Sequence, residues 1–287
     1  MRDVVSVYGF SVKPYTVPEP PSPFLMEDED GALEPGDYLV AVSWMRKGME
    51  SSLSPSEKIT LRSAAGIRAA LPMVMDDTID FVRIYMTRRN GGEMLLQETV
   101  PASVSETAIR MDNAGGKPSP FRGFSPMCGG ERAGLSLWRG RLVVSSGGTM
   151  TFSEPLAYHL RDPRHGFFLF PETVTFIAPV AGGLFVGQET HVVFLSGDRP
   201  ENLAMNPLAC QAPIAGSAVL LEGKDSGADS SVALWCADNG HVMGMPDGSV
   251  KELQADRIFG ITPKILSSAI EGYSLAKDGR ATTFLAG

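Results

Sequence analysis

Apolar and polar positions alternate with period two over long parts of this chain, the spacing of strands rather than helices. In YLVAVSW, Leu39, Ala41 and Ser43 fall on one face, and Tyr38, Val40, Val42 and Trp44 on the other. DFVRIYMT repeats the pattern, with Phe81, Arg83 and Tyr85 opposite Val82, Ile84 and Met86. Asn90, Gly91 and Gly92 tolerate positive φ and predict a hairpin turn into the strand EMLLQETV. The turn RKGMESSLSPS leads to another strand, KITLRS. Residues 36–113 are therefore predicted to form a small β-sandwich. Helical signal is sparse: the best candidate, 256–270, is broken by Gly260 and Pro263.

From residue 135 onward a weak phrase recurs, an apolar run, a Gly-bearing turn and a second apolar run. It is seen at 141–155, 184–197, 232–253 and 273–285, with Gly147, Gly187, Gly240 and Gly279 read as the turn glycines. Repeats of roughly 40–50 residues made of short strands mark propeller blades or a related radial array. Ordinary hairpins of an irregular β domain give the same pattern, and the residues alone leave both open. Phe185, Val193, Phe194 and Leu234 are expected among the buried blade residues. The chain thus reads as all-β, a sandwich followed by propeller-like, incomplete antiparallel repeats over 135–287.

The remaining segments are connections. Residues 1–35 read as an extended arm, because VPEPPSPF (17–24) carries four prolines that fix φ and remove donors. Glu27, Asp28, Glu29 and Asp30 are expected in a solvated loop. Phe24, Leu25 and Met26 are too apolar to be left in solvent, so the arm is expected to dock on a neighbouring subunit or to add a strand to its own domain. Residues 114–134 are Gly-, Pro- and Ser-rich at their start and read as a linker. In YHLRDPRHGFF, Arg161, Asp162 and Arg164 lie beside His159 and His165. That loop is either a contact between subunits or a turn held by Arg–Asp pairs.

Composition narrows the partners. The 287 residues carry 31 glycines and 21 prolines, which favour turns, and a net charge of −8, which disfavours a groove that grips nucleic acid nonspecifically. Cys128, Cys210 and Cys236 show no CxxC spacing, so neither a disulfide framework nor a zinc site is indicated, and a reducing compartment is expected. No apolar run reaches the ~18 residues that span a bilayer, so no membrane partner is expected.

Catalytic signatures are missing from the sequence. His159, His165, His191 and His241 make no HxH or HExxH pattern, and no GxSxG, GxxxxGK[ST] or GxGxxG motif occurs. Glu154, Asp162, Glu172, Glu189 and Asp198 lie near predicted strand ends, but without separations they define no glycosidase pair. No enzyme activity, cofactor or metal is expected.

Two stretches resemble known families. GDYLVAVSWMRKGMESSLSPSEKITL with DFVRIYMTRRNGGEMLLQETV resembles a fibronectin type III domain. Residues 138–200, with the phrases WRGRL, FSEP, APVAGGLFVG and VVFLSGDRP, resemble structural proteins of tailed bacteriophages, and 235–253 resembles the blade that follows in them. A sandwich followed by propeller-like repeats is similar to nozzle and hub components of phage tails. The resemblance implies a non-enzymatic virion protein, assembled in the host cytoplasm as a homo-oligomeric ring with other tail or head–tail proteins. DNA would pass such a ring without specific binding. Phe24, Leu25, Met26, Arg161, Asp162 and Arg164 are then the candidate subunit-interface residues. The alternative is a glycan-binding or glycan-cleaving propeller.

Overall fold

A computed structural model describes residues 5–8, 11–14, 16–113, 115–120, 123–127, 135–223, 229–237, 240–253, 271–277 and 280–286. The chain is all-β, a sandwich followed by propeller-like antiparallel repeats, as the alternation implies. It divides into two compact units. The described residues 5–127 and 157–163 make one, and those of 135–156 and 164–286 make the other. The predicted helix over 256–270 and the turn glycine Gly279 fall outside the described residues.

The first unit opens with a hairpin, β1 (Val5–Tyr8) and β2 (Ser11–Pro14). The sandwich follows: β3 (Phe24–Leu33), β4 (Gly36–Arg46), β5 (Met49–Glu50), β6 (Glu57–Leu61), β7 (Ala65–Ala70), β8 (Phe81–Thr87), β9 (Met94–Pro101) and β10 (Glu106–Ile109). One sheet has the order β10-β7-β3, and the other β5-β4-β8-β9 with β6 also on β4. Between the sheets lie Tyr38, Val40, Val42, Trp44, Val82, Ile84 and Met86, the faces read from the alternation, against Leu33, Ile67, Ala69 and Ile109. Asn90 takes φ 55° in the β8–β9 turn. Tyr38 Oη donates to the Glu34 carbonyl at 2.9 Å, the tyrosine corner of immunoglobulin-like sandwiches. There the corner opens the sixth strand, whereas β4 is the second strand of this sandwich, so the contact is shared and the chain order is not.

Between β5 and β6 serine hydroxyls stand in for ladder groups. Ser51 Oγ accepts from the Trp44 amide at 2.9 Å and Ser54 Oγ from the Val42 amide at 3.0 Å. Pro55, which has no N–H to give, sits at the end of this stretch.

Three expectations are corrected here. The sandwich begins at Phe24, not Gly36: β3 pairs with β7 from Phe24↔Ala70 to Leu33↔Ala65, so Phe24, Leu25 and Met26 are strand residues of their own sheet. The acidic run is not a solvated loop either. It lies within β3, where outward positions carry the charge while Asp28 is buried and pairs with Arg68 at 3.4 Å. The linker is also partly structured, since Leu96 N donates to Lys117 O at 2.9 Å, Ser119 N donates to Met94 O at 3.0 Å, and β11 (Ser125–Pro126) pairs with Leu160–Arg161.

The second unit starts at β12 (Leu135–Trp138), β13 (Arg141–Ser146) and β14 (Thr149–Phe152). The chain then gives β15 (Leu160–Arg161) to the first unit and returns with β16 (Phe167–Leu169). Next come β17 (Val174–Val180), β18 (Gly183–Gln188), β19 (Val192–Ser196) and β20 (Ala204–Pro207), then β21 (Val219–Leu221), β22 (Val232–Ala237), β23 (Gly240–Gly244) and β24 (Val250–Glu252). A hairpin, β25 (Glu271–Lys277) and β26 (Arg280–Ala286), ends the series. Three four-stranded antiparallel sheets result, β12-β13-β14-β16, β17-β18-β19-β20 and β21-β22-β23-β24.

The blades stack face on face. Trp138, Val143, Met150 and Phe152 of the first pack on Leu184, Val186, Val193 and Leu195 of the second. Its opposite face, Phe176, Phe185 and Phe194, packs on Ala233, Trp235 and Val242 of the third. Phe185, Val193, Phe194 and Leu234 are all buried, as expected. Gly187 is not a turn residue: it lies inside β18, and a Cβ there would come within 2.4 Å of the Phe176 ring. The aromatic occupies the space that any side chain at 187 would need.

Candidate functional site

A buried polar cluster lies on the outer face of the β4–β8 sheet. The Glu50 carboxylate is 3% exposed, and its Oε1 accepts from Ser43 Oγ and Tyr85 Oη, each at 2.6 Å. Arg83 pairs with Oε2 at 2.5 Å. Burial, reinforced by the neighbouring carboxylate, pushes the Tyr85 phenol well above its ordinary range. His159 Nε2 donates to the Glu50 carbonyl at 2.6 Å, and burial holds the imidazole below its ordinary value, with Arg46 adding to the effect. Each carboxylate oxygen is engaged by a neutral or cationic donor. The cluster ties β4, β5 and β8 to residues 157–163 and presents no acid or base to a substrate.

A second cluster forms where the β16–β17 loop meets the β18–β19 turn. Glu172 accepts from Thr190 Oγ1 at 2.6 Å and from Thr190 N at 2.9 Å, and these bonds hold its carboxyl below the usual range. His191 Nδ1 lies 3.5 Å from Glu172, and its Nε2 lies 2.9 Å from Gln188 Nε2. His191 Nδ1 also lies 3.1 Å from Thr190 Oγ1, the hydroxyl that donates to Glu172, so both ring nitrogens are engaged within the cluster. The Cys210 thiol is pushed up to about 11 by burial and remains protonated at neutral pH. Among the described residues no group of three or more His, Cys, Asp or Glu could hold a metal ion.

The interface candidates are not gathered in one place. Phe24 is 67% exposed and Met26 39%, on one side of β3, while Leu25 packs toward the sandwich core. Arg161 belongs to β15 and Asp162 follows it in the first unit, whereas Arg164 belongs to the second. Strand pairing with β11, the buried Leu160 and the Met127 N–H donating to the His159 carbonyl at 2.8 Å fix the 157–163 segment. Nothing in the residue pattern announced that this segment serves the sandwich.

The first blade has an outward face of different character. By register, Leu135, Leu137, Leu142, Val144, Phe167 and Leu169 share it. Its centre is covered, with Leu142 and Val144 buried, and only its rim is open: Leu135 is 56% exposed, Leu137 59% and Leu169 62%. By register Leu184 and Val186 of the second blade correspond to Leu142 and Val144, which are buried as well, while Pro207, the counterpart of Phe167, is exposed.

A cleft of about 330 Å³ opens where the first strands of the three blades approach one another, lined by Leu135 and Ser136, by residues 175–178, and by Val219 and Leu220 with their neighbours. Among the described residues no charged side chain lines it. Its two side-chain hydroxyls are turned to carbonyls, Ser136 Oγ to Ile177 O at 2.9 Å and Thr175 Oγ1 to Gln188 O at 3.5 Å. No protein-family model matches the chain, and no curated protein is significantly similar to it.

Proposed function

We propose that this chain is a non-enzymatic structural subunit of a tailed-bacteriophage virion, a tail or head–tail component that assembles with copies of itself as a ring. The open rim of the first blade, Leu137, Leu169, Leu135 and Phe167, carries the reading. These side chains make an apolar rim around a buried centre, Leu142 and Val144, and exposed apolar patches mark association surfaces. The engaged state of Glu50, Glu172 and His191 supports a scaffold rather than a catalyst. The net charge of −8 suits a wall past which DNA moves without being held. Head-to-tail use of such a face gives a closed ring when the rotation closes.

Sedimentation velocity of the purified chain tests the proposal. The wild type is expected to form a discrete oligomer, and the Leu137→Asp, Leu169→Asp double variant to dissociate it while leaving the far-ultraviolet circular dichroism unchanged. A wild type that stays monomeric at tens of micromolar refutes self-assembly through this face.

A further inference from the structure

We propose that the cleft between β12, β17 and β21 binds an extended polypeptide segment of a partner protein through main-chain hydrogen bonds. The inference is independent of the assembly reading. Each of these strands stands first in the order of its sheet, so each has one edge that no strand of that sheet covers. The residues that turn their amides to that edge follow from the register.

In the β12–β13 turn, Arg139 and Gly140 take φ 48° and 72°, a type I′ turn, which makes Trp138↔Arg141 a hydrogen-bonded pair. Antiparallel alternation then places Ser136 in the ladder and turns the Leu135 N–H and C=O outward. On β17 the direction is visible directly, because Ile177 O accepts from Ser136 Oγ across the gap at 2.9 Å. The Ile177 N–H shares that edge. On the third blade, Cys236 N donates to Ser217 Oγ at 3.0 Å and Cys236 O accepts from Ile214 N at 2.9 Å, so Cys236 faces the β21 side. Alternation along β22 makes Leu234↔Val219 the hydrogen-bonded pair and leaves the Leu220 N–H and C=O on the outer edge. Leu135, Ile177 and Leu220 all line the cleft.

Main-chain donors and acceptors are therefore the polarity the cleft offers, set among leucine, isoleucine, valine and alanine side chains. A phosphate or other charged ligand meets no counter-charge there. A sugar meets no open aromatic platform, since Phe176 is buried, 3% exposed, with its ring 5.4 Å from that of Trp235. An extended peptide matches both properties. Its amides alternate donor and acceptor along the edge, and its side chains meet apolar walls, as in strand addition to a sheet edge. The volume is at the lower end of ligand pockets and accommodates about three residues of such a segment.

The test uses the intact, ¹⁵N-labelled chain and three probes: a blocked five-residue peptide of alternating threonine and valine, the same peptide with every amide N-methylated, and maltohexaose. The unmodified peptide is expected to shift the amide signals of Leu135, Ile177 and Leu220 with a dissociation constant below about 1 mM, a few kcal/mol of binding free energy. The N-methylated peptide should bind at least about tenfold more weakly, since it has lost its donors. Ala218→Met, which narrows the cleft, should weaken the unmodified peptide to the same extent, with the melting temperature followed in parallel because Ala218 also packs against the third-blade core. Equal affinity for the two peptides, no shift with several millimolar peptide, or maltohexaose alone moving these amides would each overturn the proposal.

Discussion

Gly244→Ala tests whether the second and third blades are locked together by aromatic packing. A Cβ at position 244 would lie 2.6 Å from Cε2 and 2.7 Å from Cζ of Phe185, and 2.9 Å from Cζ3 of Trp235. Carbon atoms in ordinary contact are about 3.5–4.0 Å apart, so the Phe185 ring would have to retreat by about 1 Å. It has no room to do so. The residue is fully buried, its ring centroid 4.8 Å from that of Phe194 and 5.5 Å from that of Trp235. Overpacking of this kind costs about 1–3 kcal/mol. Phe185→Leu removes the ring, and with it two aromatic contacts of about 0.5–1.5 kcal/mol each beyond their area. It also opens the space that the methyl added at position 244 needs. The double variant should therefore cost less than the sum of the single ones, by about 1 kcal/mol or more. Hydrogen exchange at the β22 and β23 amides of the intact chain gives the local opening free energy for each variant. Costs that add to within about 0.5 kcal/mol would show that the ring is not what resists a side chain at 244, and the packing argument would fail.

Other expectations follow from the first unit. Tyr85→Phe takes one donor from a buried carboxylate and should destabilise the sandwich by about 1.5–3 kcal/mol, measurable by chemical denaturation; a loss below about 0.5 kcal/mol would mean that Ser43 and Arg83 alone satisfy Glu50. Because burial lowers the His159 pKa on folding, the unfolded chain takes up the proton first. Stability should be fully present above about pH 6.5 and fall as the pH drops from there toward the folded value. His159→Gln should flatten that fall below about pH 6.5, and an unchanged profile would remove His159 as its source. Proteolytic nicking between 128 and 134 should leave the two fragments co-eluting in native size exclusion, because 157–163 stays packed in the sandwich; clean separation would show that this segment is not held.

The sequence made strands visible where one face is buried and the chain alternates. β4 and β8 are of this kind, and their two faces were separated correctly residue by residue. It failed where a distant partner decides. The run Glu27–Asp30 looks solvated because its charges are real, yet Arg68, forty positions beyond Asp28, and the ladder with β7 hold it as a strand. Gly187 has the composition of a turn but the environment of a packed strand, set by Phe176. The cleft left no mark at all. Its chemistry lies in which way the main chain faces at Leu135, Ile177 and Leu220, and register is not written in residue type.

The return of 157–163 to the sandwich has a consequence for the order of synthesis. When the ribosome has made residue 127, the N-terminal unit still lacks the segment that brings His159 to the Glu50 carbonyl. Residue 163 comes only 36 positions later, roughly 2–7 s at ordinary elongation rates. During that interval the first strands of the next blade emerge while the sandwich is incomplete. The two units cannot mature one after the other like beads on a thread. The first closes only after the second has begun, so exchanging either as a cassette would separate a sheet from its last strand.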